Sequence, residues 1–270
     1  MADVYVNSWS EFLTEIAKSG NKVHLPDNAV WDMNEIAPSG ISGEIRIACS
    51  SIRGHGTRIK NLRLSGFFRV TAQYITINDL FLTDMIADKP DYSYPAVFWG
   101  NVFFVRCAIS AIVSDGYYNL VRYTTNYDAY FAEKCSIYIE ATGSNFALYI
   151  MGTHGSKYCR LELHAPNSTN GGGLGDCSYC ECVAYIPNAA GVYSSNFIGG
   201  CTVRGNMKQA SENSWAGNWD AAVSVYDINM FGDGYTPKYP QYFVACTDEQ
   251  LKNPEYLRSK GFPIVVNGGG

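Results

Sequence analysis

Charge is scarce in this chain of 270 residues: 17% are charged, against the ~25% of an average soluble domain, while 47% are hydrophobic. A composition of this kind can bury a full core, which excludes a disordered chain. Leucine is sparse too, with 13 residues beside 19 isoleucines, 18 valines, 20 tyrosines and 13 phenylalanines. That excess of β-branched and aromatic residues excludes an all-helical fold and favours strands. There is no basic run, and 20 Lys and Arg against 25 Asp and Glu leave a net charge of −5, so no segment is suited to neutralising a row of phosphates. Nucleic acid is not an expected partner. No apolar window reaches the roughly 18 residues of a membrane span, and the opening MADVYVNSWSEF lacks the basic and apolar regions of a secretory signal. The expectation is synthesis in a cytoplasm, away from membranes. Nine cysteines, an odd number, fit reduced thiols better than a disulfide framework.

What is present begins with one amphipathic helix. Residues 8 to 19, SWSEFLTEIAKS, place Phe12, Leu13, Ile16 and Ala17 on one face behind Ser8 or Ser10 as cap, with Glu11 in the first turn. KVHLPDN then reads as a short strand and turn, and residues 1–42 as an N-terminal cap.

From residue 43 the pattern changes to short glycine-punctuated strands with alternation such as Ile45/Ile47 and Ile75/Ile77. Aligning ITINDLFL, FFVRCAIS, AEKCSIYI, SKYCRLEL, SYCECVAY and IGGCTVRG brings Leu80, Cys107, Cys135, Cys159, Cys180 and Cys201 into one column, at intervals of 27, 28, 24, 21 and 21 residues. A small apolar residue recurring at that period predicts stacked β-coils whose equivalent residues lie ~4.8 Å apart along the interior. Six or seven coils are expected over 43–204, a last coil and C-terminal cap over 205–267 with a short helix at 248–259, and a tail at 268–270. The longer intervals read as inserted loops, DMIADKPDYSYPAVFWGN and GYYNLVRYTTNYDAY.

The helix-strand opening, the SIRGHGTRI turn and the stacked NDL/RC/KC/YC column resemble right-handed parallel β-helix proteins of the pectate-lyase-like superfamily. The resemblance implies an all-β, single-stranded parallel β-helix with an N-terminal capping helix. More narrowly, SWSEFLTEIAKSG, NAVWDMNEIAPSG and CTDEQLKNPEYLRSKGFPI look like structural proteins of phages and prophages of gut Gram-positive bacteria. That resemblance implies a virion component made in the host bacterial cytoplasm, with other virion proteins and host surface glycan as partners and a homotrimer as assembly.

Chemistry-bearing motifs are few. Cys177, Cys180 and Cys182 have the spacing of a zinc half-site completed by His154 or His164, but Cys180 continues the interior column and Cys182 points the same way, so a buried apolar role is preferred and no metal or cofactor is expected. The remaining histidines, His24 and His55, are read like the others as turn or surface residues. Asp88 and Asp115 each lie eight residues after their column residue, which would put them on adjacent rungs as the best acid pair if the protein were a lyase or glycosidase. No partnering base accompanies them. Tyr92, Tyr94 and Trp99 in the first long loop and Tyr117, Tyr118, Tyr123 and Tyr127 in the second offer rigid contact area with polar tips. The expected function is non-enzymatic binding of glycan or protein through these loops, with a tailspike-like polysaccharide lyase or glycoside hydrolase as the alternative.

Overall fold

The computed structural model describes residues 2–88, 96–114, 119–122, 132–143, 148–151, 155–169, 172–188, 195–209, 215–216, 223–237 and 240–261. The chain forms a parallel β-solenoid of about eight turns. Among the described residues ten strands make one sheet and sixteen make a second, which bends where Arg63–Val70 pairs with Phe81–Ala87. Each coil therefore has three flanks. The coil from Ile75 visits the ten-stranded sheet at Ile75–Asn78, the second flank at Phe81–Ala87 and the third at Ala96–Trp99, before regaining the first at Val102–Val105. Every paired strand is parallel, and inward residues stack rung upon rung, as in the row Leu82, Ile109, Ile137, Leu161, Cys182 and Val203.

The cysteine column lies where the first flank turns into the second. Cys107, Cys135, Cys159, Cys180 and Cys201 are all buried and all reduced, and Leu80 begins the same row. Backbone N–H groups of Cys107, Cys135 and Cys159 each face the sulfur of the next rung at 3.4 Å, and the N–H of Cys201 donates to Ser224 Oγ at 3.1 Å, so a serine continues the row. Burial pushes Cys159 and Cys180 above their ordinary range, and at Cys135, against an opposing hydrogen bond with Cys107, the hydrogen bond with Cys159 and burial together push the thiol to about 12. The residue before each column position is in the left-handed region: Asp79, Arg106, Lys134, Tyr158, Tyr179 and Gly200, with φ between 52° and 64°. This corner turns the chain between two flanks in a single residue, against a steric preference of about 1 kcal/mol for non-glycine residues.

Two expectations about loops are revised. The segment read as the first inserted loop contains the end of strand Phe81–Ala87 and all of Ala96–Trp99, and the second contains Asn119–Arg122. These four-residue strands build the third flank. They are too short to display an alternation in sequence.

At the N-terminus, Ser8 caps helix α1 (Trp9–Ile16), its hydroxyl accepting from Glu11 N–H, and Trp9, Phe12 and Ile16 are buried in the solenoid's own core cluster. They share an apolar cavity of about 20 Å³ with Ile47, Ile52 and Leu80. Ala48 and Cys49 donate to the carbonyl of Ile16, which ties the helix end to the coil. A strand not foreseen from sequence, Ala2–Tyr5, pairs with Asn21–His24. Helix α2 is a single turn, Met33–Ile36. At the other end, the segment expected as one helix is two, α3 (Asp248–Leu251) and α4 (Pro254–Ser259), divided where Asn253 caps α4 ahead of Pro254. Leu251 and Leu257 form a separate small cluster with Val225 and Cys246.

Candidate functional site

Among the described residues, the second flank carries a contiguous set of chemically capable side chains. In its strands the residues one, three and five positions after the column cysteine point outward, because inward positions fall between them. Those outward residues are Ser136, Tyr138 and Glu140 in Ser136–Ala141, then Arg160, Glu162 and His164 in Arg160–His164, then Glu181, Val183 and Tyr185 in Glu181–Tyr185. Register places Glu140 beside His164 and His164 beside Tyr185, while Tyr138 pairs with Glu162. Intervening Ile137, Ile139, Leu161, Leu163, Cys182 and Ala184 are buried, so packing holds the backbone beneath the site.

The aromatic members touch. The Tyr138 and His164 ring centroids lie 5.3 Å apart, and His164 stacks on Tyr185 at 5.8 Å and 26°. Glu162 is held from two sides: His164 Nε2 lies 2.7 Å from its Oε1, and Arg160 Nη2 donates to Oε2 at 3.4 Å. Its side chain is only 20% exposed. One rung on, Arg204 pairs with Glu181. Partial burial raises the Tyr138 phenol, with the Glu140 and Glu162 carboxylates adding to the effect, so its hydroxyl remains a neutral donor and acceptor. The flank thus presents an aromatic ladder bordered by prepositioned charged groups.

The earlier site residues fare differently. Asp88 lies at the end of Phe81–Ala87, where its Oδ1 accepts from Ser114 Oγ at 2.7 Å. The ladder shifts by one between Ile109 and Ala111 opposite Leu82 and Met85, with Asp84 at φ 55°. Beyond that bulge Val113 pairs with Ala87, which sets Ser114 beside Asp88. Asp115 itself lies outside the described residues, as do Tyr92, Tyr94, Tyr117, Tyr118, Tyr123 and Tyr127. Trp99 is half-buried on the third flank, its ring 5.6 Å from Phe67.

His24 is not a turn or surface residue. It is buried, with Nε2 2.9 Å from Asp3 Oδ1 and Nδ1 3.0 Å from His55 Nε2, and Tyr5 stacks on its ring. Its partners come from sequence positions as distant as 31 residues, which local reading does not reach. Cys177, Cys180 and Cys182 are wholly interior, whereas His164 points outward to Glu162, and His154 lies outside the described residues. Among the described residues no group of three or more His, Cys, Asp or Glu is arranged to hold a metal ion, and no helix is long and apolar enough to cross a membrane.

The ladder Tyr138, Glu140, Glu162, His164 and Tyr185 was within reach of the sequence. The same cysteine alignment that exposes the interior column lines up these outward positions.

Fold and site together define a parallel β-solenoid with an aromatic, charge-bordered flank. Comparison with protein-family models, with curated proteins and with solved structures gives no match for this chain.

Proposed function

We propose that this protein is a non-enzymatic binding protein, a rigid solenoid that presents its second flank to a glycan. The observation that carries the reading is the ladder of Tyr138, His164 and Tyr185 beside a Glu162 already fixed by His164 and Arg160. Rigid rings with polar tips give contact area at little entropic cost, and the buried row beneath them prevents the rungs from shifting. The sequence resemblance extends the proposal to a pectate-lyase-like β-helix serving as a phage virion structural protein, of tail, fibre or decoration type. In that setting other virion proteins would be its further partners and a homotrimer its assembly. Light scattering tests the assembly: a species of about 30 kDa at micromolar concentration contradicts a trimer.

A depolymerase is the second reading, favoured by the close pairing of Glu162 with His164, since an imidazole oriented by a carboxylate is a serviceable base. One experiment separates the two. The protein is titrated calorimetrically with bacterial capsular and wall polysaccharides, and the same mixtures are assayed for reducing ends and unsaturated uronates. Binding that falls at least tenfold in Tyr185→Ala and His164→Ala, without product release, supports the binding protein. Product release that disappears in Glu162→Gln supports the depolymerase.

A further inference from the structure

The charges bordering the ladder are unequal. On the three strands of the ladder and the next rung, three carboxylates, Glu140, Glu162 and Glu181, stand with two guanidiniums, Arg160 and Arg204. Both guanidiniums are committed, Arg160 to Glu162 and Arg204 to Glu181. His164 is committed as well, through Nε2 to Glu162. Among the described residues Glu140 has no ion-pair partner, although it stands in register with His164 and two residues from Tyr138. Its side chain is half-buried on the outward surface, flanked within its strand by the buried Ile139 and Ala141. At the rim of the aromatic ladder Glu140 is therefore an acceptor carboxylate without an ion-pair cation among the described residues.

Charge complementarity then selects among glycans. An acidic polysaccharide would bring its carboxylates toward Glu140 and Glu162 and meet guanidiniums that are already occupied. A neutral sugar would use the rings and the carboxylate lone pairs. A sugar carrying a free ammonium would do both and also supply the missing cation. Resting on the glycan-binding reading above, we propose that the ligand of the second flank is an amine-bearing glycan, with its ammonium on Glu140 and its sugar rings against Tyr138, His164 and Tyr185.

The test compares soluble glucosamine oligosaccharides with their fully N-acetylated counterparts and with oligogalacturonates, by calorimetry near neutral pH and low salt. The amine form is expected to bind roughly fivefold more tightly than the acetylated form, the size of a partly screened ion pair. Oligogalacturonates should bind most weakly. Glu140→Gln should abolish the preference by bringing amine-sugar affinity down to the level of the acetylated form, with the melting temperature unchanged, since Glu140 makes no ion pair among the described residues. Equal binding of amine and acetylated forms, or a preference for oligogalacturonate, overturns the amine assignment and leaves the glycan-binding reading standing. Absence of binding by all three, for the native protein, overturns this assignment and counts against that reading as well.

Discussion

Tyr179 lies directly over Gly200: a methyl group added to the glycine would sit 2.5 Å from Tyr179 Cδ1. Both residues occupy the left-handed corner before a column cysteine, and Tyr158 stacks on the other side of Tyr179 at 5.5 Å. Gly200 is thus needed twice, for its backbone and for the ring that covers it. Gly200→Ala is expected to destabilise by about 1–3 kcal/mol, from the left-handed strain plus the displaced ring. Tyr179→Ala in the same chain should recover the part due to the clash. Urea midpoints of the two single variants and the double variant measure it, and strict additivity would show that the contact contributes nothing.

The next corner pair is electrostatic. Arg106 donates twice to Asp79, Nε to Oδ1 at 2.7 Å and Nη2 to Oδ2 at 2.8 Å. This hydrogen bonding holds the Asp79 carboxyl below its usual range. Because the folded value is depressed, the contribution is present above the unfolded value near 4 and disappears as pH falls through the folded one. Both side chains are more than one-third exposed, so solvent screening limits the pair to about 0.2–1 kcal/mol. Arg106→Gln should melt lower than the native protein at pH 6, and the two curves should converge under acid. A gap that persists at about pH 2 would mean that Arg106 acts through packing instead.

The column thiols are expected to be unreactive in the folded protein. Burial raises their pKa, and reagents reach only thiolates they can contact. Mass spectrometry after brief alkylation should find Cys107, Cys135, Cys159, Cys180 and Cys201 unmodified, then fully modified in denaturant. Rapid native labelling at Cys159 would contradict the stacked interior. Cys159→Leu should destabilise by about 1–3 kcal/mol, because the rungs above and below leave no room for the added carbons.

Removal of residues 1–20 should expose the cavity lined by Ile47, Ile52 and Leu80 and lower the melting temperature, with aggregation. Trp9, Phe12 and Ile16 supply that surface, and Ile16 the acceptor for two coil amides. A truncated protein that stays monomeric with unchanged melting would make α1 an appendage.

Legibility in the sequence followed distance along the chain. The column was readable because each coil repeats the same local event, a left-handed corner followed by a small buried residue, and cysteine marks that event visibly. Helix α1 was readable for a similar reason, since its cap and apolar stripe fall within a dozen residues. The third flank was not, because AVFW and NLVR are four-residue strands identified only by the neighbours they pair with. A one-residue bulge at Asp84 shifts what faces Asp88, since register is a cumulative property that a fixed offset from the column does not carry. His24 looked like a turn residue for want of Asp3 and His55. The site on the second flank differs from all of these: its residues align with the column itself, because outward positions form ladders as regular as inward ones.

The corner before each column cysteine also makes the coil a unit of length. Tyr158 and Tyr179 have nearly the same backbone conformation, φ 56° and 52°, and each is followed by a buried cysteine. The segment from Cys159 to Tyr179 therefore begins and ends at equivalent points of the fold, and its excision would join Tyr158 to Cys180 without asking either to change shape. A molecule built this way can grow or shrink by whole rungs, each worth ~4.8 Å of axis. Its reach would be altered by counting coils, although this excision would take Arg160, Glu162 and His164 with it and bring Tyr138 and Tyr185 onto adjacent rungs.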